Sequence, residues 1–222
     1  PSAHHAAEFD RVPLLVSEHL EPRTLIGCSA GGVIGAGREV EHRPGFAMAA
    51  VHMPDVELSI FHIEEEELPD GDAGPEAWEA LVNTTAAQDP HFLLLADPFT
   101  TRGEHLVMGL DYAFPKSVKI GGLASGAHQP GGNALYLSDR VYGSGAVGIA
   151  MHGDLVVDSV VAQGCRPIGQ PMQVTGCHGN LMLELNGQTS IQMLKEIFEG
   201  IGERDRELAQ HSLFLGVIMD EL

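Results

Sequence analysis

Apolar residues recur along this chain at two periods, one near that of a helix and one near that of a strand, and their order predicts an α/β protein. Over residues 6–20, Phe9, Val12, Val16 and Leu20 fall at near-helical spacing, with Pro13 weakening the middle and Pro22 closing the segment. A short strand, Thr24-Leu25-Ile26, then runs into Gly27-Cys28-Ser29-Ala30-Gly31-Gly32. Residues 46–53 and 56–63 read as two strands around Met53-Pro54-Asp55. In the second, Val56, Leu58 and Ile60 alternate with polar residues, which predicts one buried face. Pro75 stands where a first helical position favours it, and Trp78, Leu81 and Val82 form that helix's apolar stripe. His91-Phe92-Leu93-Leu94-Leu95-Ala96 is unbroken and apolar, as a strand covered on both faces needs, and it stops at Asp97-Pro98.

Residues 103–112 predict a helix with Leu106, Gly109 and Leu110 turned inward and Pro115 as its terminator. A strand at Val118-Lys119-Ile120 enters Gly121-Gly122-Leu123-Ala124-Ser125-Gly126. A hairpin turns at Ser138-Asp139-Arg140, and strands at 146–151 and 155–162 flank His152-Gly153-Asp154. A loop over 164–175, a strand at 181–185, a tight Asn186-Gly187 turn and helices over 190–200 and 203–211 complete the pattern.

The two glycine-rich elbows echo one another. Leu25-Ile26-Gly27-Cys28-Ser29-Ala30-Gly31 resembles Lys119-Ile120-Gly121-Gly122-Leu123-Ala124-Ser125-Gly126 with one residue inserted. Each is followed by an apolar stretch that reaches a histidine turn and an acidic residue, His52 to Asp55 in one case and His152 to Asp154 in the other. The pattern is that of a duplicated module, or of Gly-rich turns that match by chance.

Composition narrows the function. The 222 residues are 44% apolar and 19% charged, enough for a buried core. Only 5% are aromatic, against 27 glycines, which favours close backbone packing over base-stacking platforms. Twelve Lys and Arg against 31 Asp and Glu give a formal charge of −19, a surface that repels phosphate backbones and anionic headgroups. Nucleic acid is therefore not an expected partner. Glu64-Glu65-Glu66-Glu67 reads as a solvated loop edge. Three cysteines, Cys28, Cys165 and Cys177, point to a reduced intracellular compartment rather than a disulfide framework. No apolar run approaches the roughly 20 residues of a membrane span, so direct membrane insertion is not expected. The abrupt start and the closing run Leu213-Phe214-Leu215-Gly216-Val217-Ile218-Met219 lead us to expect a fragment of a longer protein.

Several residues could carry chemistry. Glycines after a strand admit a ligand to the backbone and leave N–H groups free for a carboxylate or other anion. Gly27, Cys28, Ser29, Gly121 and Gly122 are the candidates, with tight turn packing as the structural alternative. Arg166, between Cys165 and Pro167, either clamps an anion with its planar fork or pairs with a carboxylate such as Glu184 or Asp158. Gly27-Cys28-Ser29-Ala30-Gly31 also fits G-x-S-x-G, but Gly35, Gly37 and Pro44 leave no helix to follow the serine, so a hydrolase is the third choice. No H-E-x-x-H or C-x-x-C motif supports zinc. No cofactor is expected; the one alternative is haem, with His52 or His152 as an axial ligand.

These segments together resemble the FIST domain signature: the two elbows, Gln163-Gly164-Cys165-Arg166-Pro167-Ile168-Gly169, Val174-Thr175 and Glu184-Leu185-Asn186-Gly187. Phe92 to Pro98 and Ala209 to Gly216 are similar to its cyanobacterial and plastid branch. The resemblance implies a sensory domain that binds small ligands such as amino acids; some bacterial members bind haem. The expected fold is α/β, with mixed, largely antiparallel sheets covered by helices in two related halves. Residues 1–90 form the first and 91–222 the second, running into a C-terminal module. The expected function is non-catalytic small-ligand sensing, with Gly27, Cys28, Ser29, Gly121, Gly122 and Arg166 as the ligand site. The alternative is an auxiliary or scaffold subunit of a larger plastid complex, on the chloroplast's stromal side.

Overall fold

A computed structural model describes residues 1–160, 166–178, 181–210 and 212–216. The chain divides into two compact units, Pro1–Ser159 and Val160–Leu222. The sequence boundary near residue 90 falls inside the first of them.

The first unit is layered. A 3-10 turn, Ala3–Arg11, leads into α1 (Val12–Leu20), and Pro13 lies in the first turn of that helix, where its missing amide costs nothing. The strands β1 (Ile26–Cys28), β2 (Gly32–Gly35), β3 (Arg38–Glu41) and β4 (Val56–Ile63) follow. Next come α2 (Pro75–Leu81), β5 (His91–Ala96), α3 (Gly103–Ala113) and β6 (Lys119–Leu123). Finally β7 (Leu135–Leu137), β8 (Arg140–Tyr142) and β9 (Ala146–Gly153) close the unit. One sheet has the order β4-β9-β5-β6, antiparallel except for the parallel β5–β6 pair. A second has the order β1-β7-β8, and β2–β3 is a separate hairpin.

Strand alternation assigns the faces. Phe92, Leu94 and Ala96 of β5 join Ala146 and Ala150 of β9 in a core closed by Trp78, Leu106, Leu110 and Phe114 from the helical side. The opposite face presents Leu95 and Val147 to Leu135, Leu137 and Cys28 of the smaller sheet. On the far side of that sheet, Ala134 and Tyr136 meet Phe9 and Val12 of the N-terminal helical segment. Helices, large sheet, small sheet and N-terminal helix thus stack in order. Gly109 lets α3 close on Trp78, since a Cβ there would lie 2.0 Å from the indole ring.

Two expected strands do not form. Residues 46–53 are without strand structure and leave Phe46 and Val51 exposed. Instead of folding back on them, β4 pairs over its whole length with β9, from Val56↔Gly153 to Ile63↔Ala146. Eight long-range pairs against an apolar strand outweigh a local hairpin whose turn contains Pro54. Residues 155–160 carry no strand either. The rest of that predicted strand lies outside the described residues.

The second unit holds β10 (Val174–His178), β11 (Leu181–Leu185), β12 (Gln188–Thr189), α4 (Ser190–Gly200) and α5 (Glu203–Ala209). The strand β10 extends three residues beyond the loop expected there and pairs antiparallel with β11. The mixed, mostly antiparallel sheets with helices give the α/β fold.

Candidate functional site

The two elbows meet. Where β1 ends, the Ser29 carbonyl accepts the Ser125 amide at 3.2 Å, and the Gly31 amide donates to the Ser125 hydroxyl at 3.1 Å. A Cβ on Gly126 would sit 2.7 Å from that of Ser29, so the second elbow has no room for a side chain at this joint.

Beneath the joint lies a buried polar network. Ser29 is fully buried; its hydroxyl donates to Asn133 Oδ1 at 3.0 Å and accepts the Ala134 amide at 3.0 Å. The Asn133 amide donates to Asp97 Oδ1 at 2.8 Å. The other Asp97 oxygen accepts the Thr100 hydroxyl at 2.7 Å, and Thr100 Oγ1 accepts the Gly145 amide at 2.9 Å. Asp97 is itself fully buried, so these bonds replace the water that its carboxylate has lost. Sequence reasoning missed this chain. Its one local signal is Asp97, a polar residue stopping an otherwise apolar strand; nothing local connects it to Asn133 or Ser29.

This network decides the role of Ser29. A nucleophilic serine needs an exposed hydroxyl bonded to a base. Ser29 is enclosed and bonds Asn133 and a backbone amide, and the chain continues into the β2–β3 hairpin instead of a helix. Cys28 is half-buried, and burial pushes its thiol up, away from the thiolate form.

The second elbow is open by comparison. Gly121 and Gly122 lie within β6 itself, not after it, and β6 is the terminal strand of its sheet. Both glycines are exposed. Gly121 faces Leu94 in register, and a Cβ there would lie 1.8 Å from the Leu94 carbonyl oxygen. A Cβ on Gly122 would meet nothing within 4 Å. The strand therefore packs tightly on β5 at one glycine and leaves free space at the next.

Arg166 belongs to the second unit. Its guanidinium bonds Asp205, which holds it firmly protonated. Neither Glu184 nor Asp158 is the partner. A depression of about 440 Å³ adjoins this pair, lined also by Gly202, Arg204 and Leu208.

A cleft of about 410 Å³ opens on the first unit at the outer edge of β4, and none of its lining residues belongs to an elbow. The β7–β8 turn and the end of α2 form its walls.

Among the described residues no group of three or more His, Cys, Asp or Glu comes together to hold a metal. A haem site needs an imidazole facing an enclosed apolar cavity. His52 is exposed, and the His152 ring nitrogen faces Gln88 at 3.2 Å and Glu57 at 3.6 Å, so neither histidine fits that role. Of the three cysteines, Cys165 lies outside the described residues. Among the described residues, no helix is long and apolar enough to cross a membrane.

Residues 2–188 match the FIST N domain model. The chain is 34% identical over 210 residues to the uncharacterized protein Rv0628c of Mycobacterium tuberculosis, covering 93% of this chain and 52% of the relative. It is 33% identical over 210 residues to the uncharacterized protein Mb0898c of Mycobacterium bovis, covering 93% and 51%. The chain thus spans about half the length of the curated relatives it matches. No solved structure matches it. With the family model covering most of its length, the chain belongs to the FIST family, whose domain is a sensory, small-ligand-binding one.

Proposed function

We propose that this protein senses a small ligand, an amino acid or other small anion, without turning it over, and that the ligand binds at the open elbow. The observation carrying this is the pairing of a rigid joint with a free glycine edge. Ser29 and Ser125 fix the two elbows to each other, while Gly121 and Gly122 stay exposed on a strand whose outer edge has no partner among the described residues. In the parallel β5–β6 ladder alternate residues of β6 turn to β5, so this edge offers the Gly121 N–H to an anion without moving a side chain. Gly27, Cys28 and Ser29 serve this site indirectly, through the joint between Ser29 and Ser125. Arg166 lies in the other unit, and there it would clamp a carboxylate only on releasing Asp205. The engaged hydroxyl of Ser29 supports a role without catalysis. Native mass spectrometry of the purified protein tests the proposal, which expects a retained small molecule. Repeated preparations carrying none, together with no metabolite-induced thermal shift, would end it.

A second function has its own support. On α3, Val107, Met108 and Tyr112 are exposed, and Leu123 of β6, 3.9 Å from the Cβ position of Gly103, extends that apolar surface. The joint at Ser29 is filled rather than hollow. Both favour an auxiliary subunit that docks on a larger assembly, and the plastid placement belongs to that function. Such a subunit would co-purify with its assembly through α3, and Met108→Glu would release it.

A further inference from the structure

The cleft beside β4 lies where two layers project past the edge of the large sheet. β4 is the terminal strand and has no partner on its outer side among the described residues. The end of α2 overhangs it from one face, and the β7–β8 turn from the other. At about 410 Å³ the opening falls within the roughly 300–1,000 Å³ typical of small-molecule sites.

Its lining separates by chemistry. Ile60, Leu81 and Tyr142 supply apolar surface. Tyr142 is held by stacking on His62, with ring centroids 3.8 Å apart and planes 16° from parallel. The His62 ring nitrogen is in turn fixed 3.1 Å from the Ser144 carbonyl, so this wall is pre-organised. The polar side gathers Asn83, Ser138 and Arg140. None of these three side chains makes a hydrogen bond or ion pair with a described residue, and the register Leu137↔Arg140 anchors Arg140 at the start of β8. In a chain of net charge −19, a guanidinium that makes no ion pair with a described carboxylate, beside an apolar wall, offers the planar fork that suits a carboxylate.

We infer that this cleft is a second ligand site, distinct from the elbows, for a small monocarboxylate with an apolar or aromatic body. Arg140 engages the carboxylate, Ser138 and Asn83 donate to its oxygens, and the body lies against Tyr142 and Leu81. Asp139, adjacent on the same turn and also lining the cleft, leaves room for only one negative charge. The site therefore selects monoanions over dianions.

The test is an amide-resolved NMR titration of the whole protein with benzoate as the probe. Benzoate should shift the amides of Asn83 and of residues 138–142, while the neutral isostere benzamide and the dianion phthalate should not. Arg140→Gln should weaken benzoate binding about tenfold or more, the scale of one lost charge-assisted hydrogen bond. Arg140→Lys should fall between the two, and Asp139→Asn should admit phthalate. Arg140 is exposed, so an otherwise unchanged spectrum will show that its variants fold. Silence at residues 138–142, equal titration by benzamide, or an Arg140→Gln protein that binds like wild type would each overturn the inference. Shifts confined to residues 121–125 would also overturn it, while leaving the elbow proposal standing.

Discussion

Ser29 and Gly122 end in opposite surroundings although the sequences leading to them echo one another. At the first elbow every polar group of Ser29 is engaged, and the residue is closed to solvent. At the second, Gly122 stands at a strand edge with free space where a side chain would go. The difference comes from position in the layers. β1 is covered by the large sheet on one face, whereas β6 is the last strand of that sheet and has nothing beyond it among the described residues. One local motif can serve as a core joint or as a binding edge, and only its neighbours decide which.

The contrast can be broken experimentally at graded cost. Gly121→Ala forces a methyl to within 1.8 Å of the Leu94 carbonyl, a backbone atom that cannot step aside. We expect a loss of about 3 kcal/mol or more, or failure to fold, measured by urea unfolding. Ser29→Ala strands Asn133 Oδ1 and the Ala134 amide in the interior and should cost about 1–3 kcal/mol in the same assay. A smaller, pH-dependent effect belongs to Glu65, next to the loop that carries the network. The Arg102 backbone amide donates to its carboxylate at 2.7 Å and holds its pKa below the usual range. A carboxyl whose folded pKa is depressed stabilises the protein above its unfolded pKa and loses that contribution as pH falls through the folded value. Wild type and Glu65→Gln should therefore differ in stability at pH 7 and converge in acid. Gly122→Ala should change stability by less than about 0.5 kcal/mol, the smallest effect of the series. If Gly121→Ala and Gly122→Ala behaved alike, the asymmetry described for β6 would be wrong.

Thiol labelling sharpens the same comparison. Cys28 lies half-buried in the closed elbow with its thiol pushed up, whereas Cys177 is exposed. At neutral pH iodoacetamide should modify Cys177 well before Cys28, as read by peptide mapping.

The elements legible in the sequence were those in which period and stop signals agree. The strand over residues 91–96 has the bounds of its apolar run, and α3 buries Leu106, Gly109 and Leu110 between Gly103 and the turn before Pro115. The Ser190–Gly200 helix follows the Asn186-Gly187 turn after only the two residues of β12, with Thr189 as its N-cap. Residues 46–53 misled because an apolar stretch says that a segment can form a strand, not that a partner is present. The strand over 174–178 was overlooked for the converse reason, since its small and polar residues read as a loop until paired with Leu181–Leu185. At the elbows the glycines were visible and their echo hinted at a relation. That Ser29 and Ser125 touch, and that Asp97 lies beneath through Asn133, depends on contacts 36 to 104 residues apart that no local pattern encodes.

The most direct test of the central claim compares wild type with Gly122→Val in a thermal-shift screen of small metabolites. Valine suits a strand and finds open space there, so the variant should fold, yet its side chain occupies the proposed approach to the edge. We predict that at least one small anion raises the melting temperature of wild type and leaves Gly122→Val unchanged. A screen with no stabilising compound, or one whose hits stabilise both proteins equally, would contradict ligand binding at the open elbow.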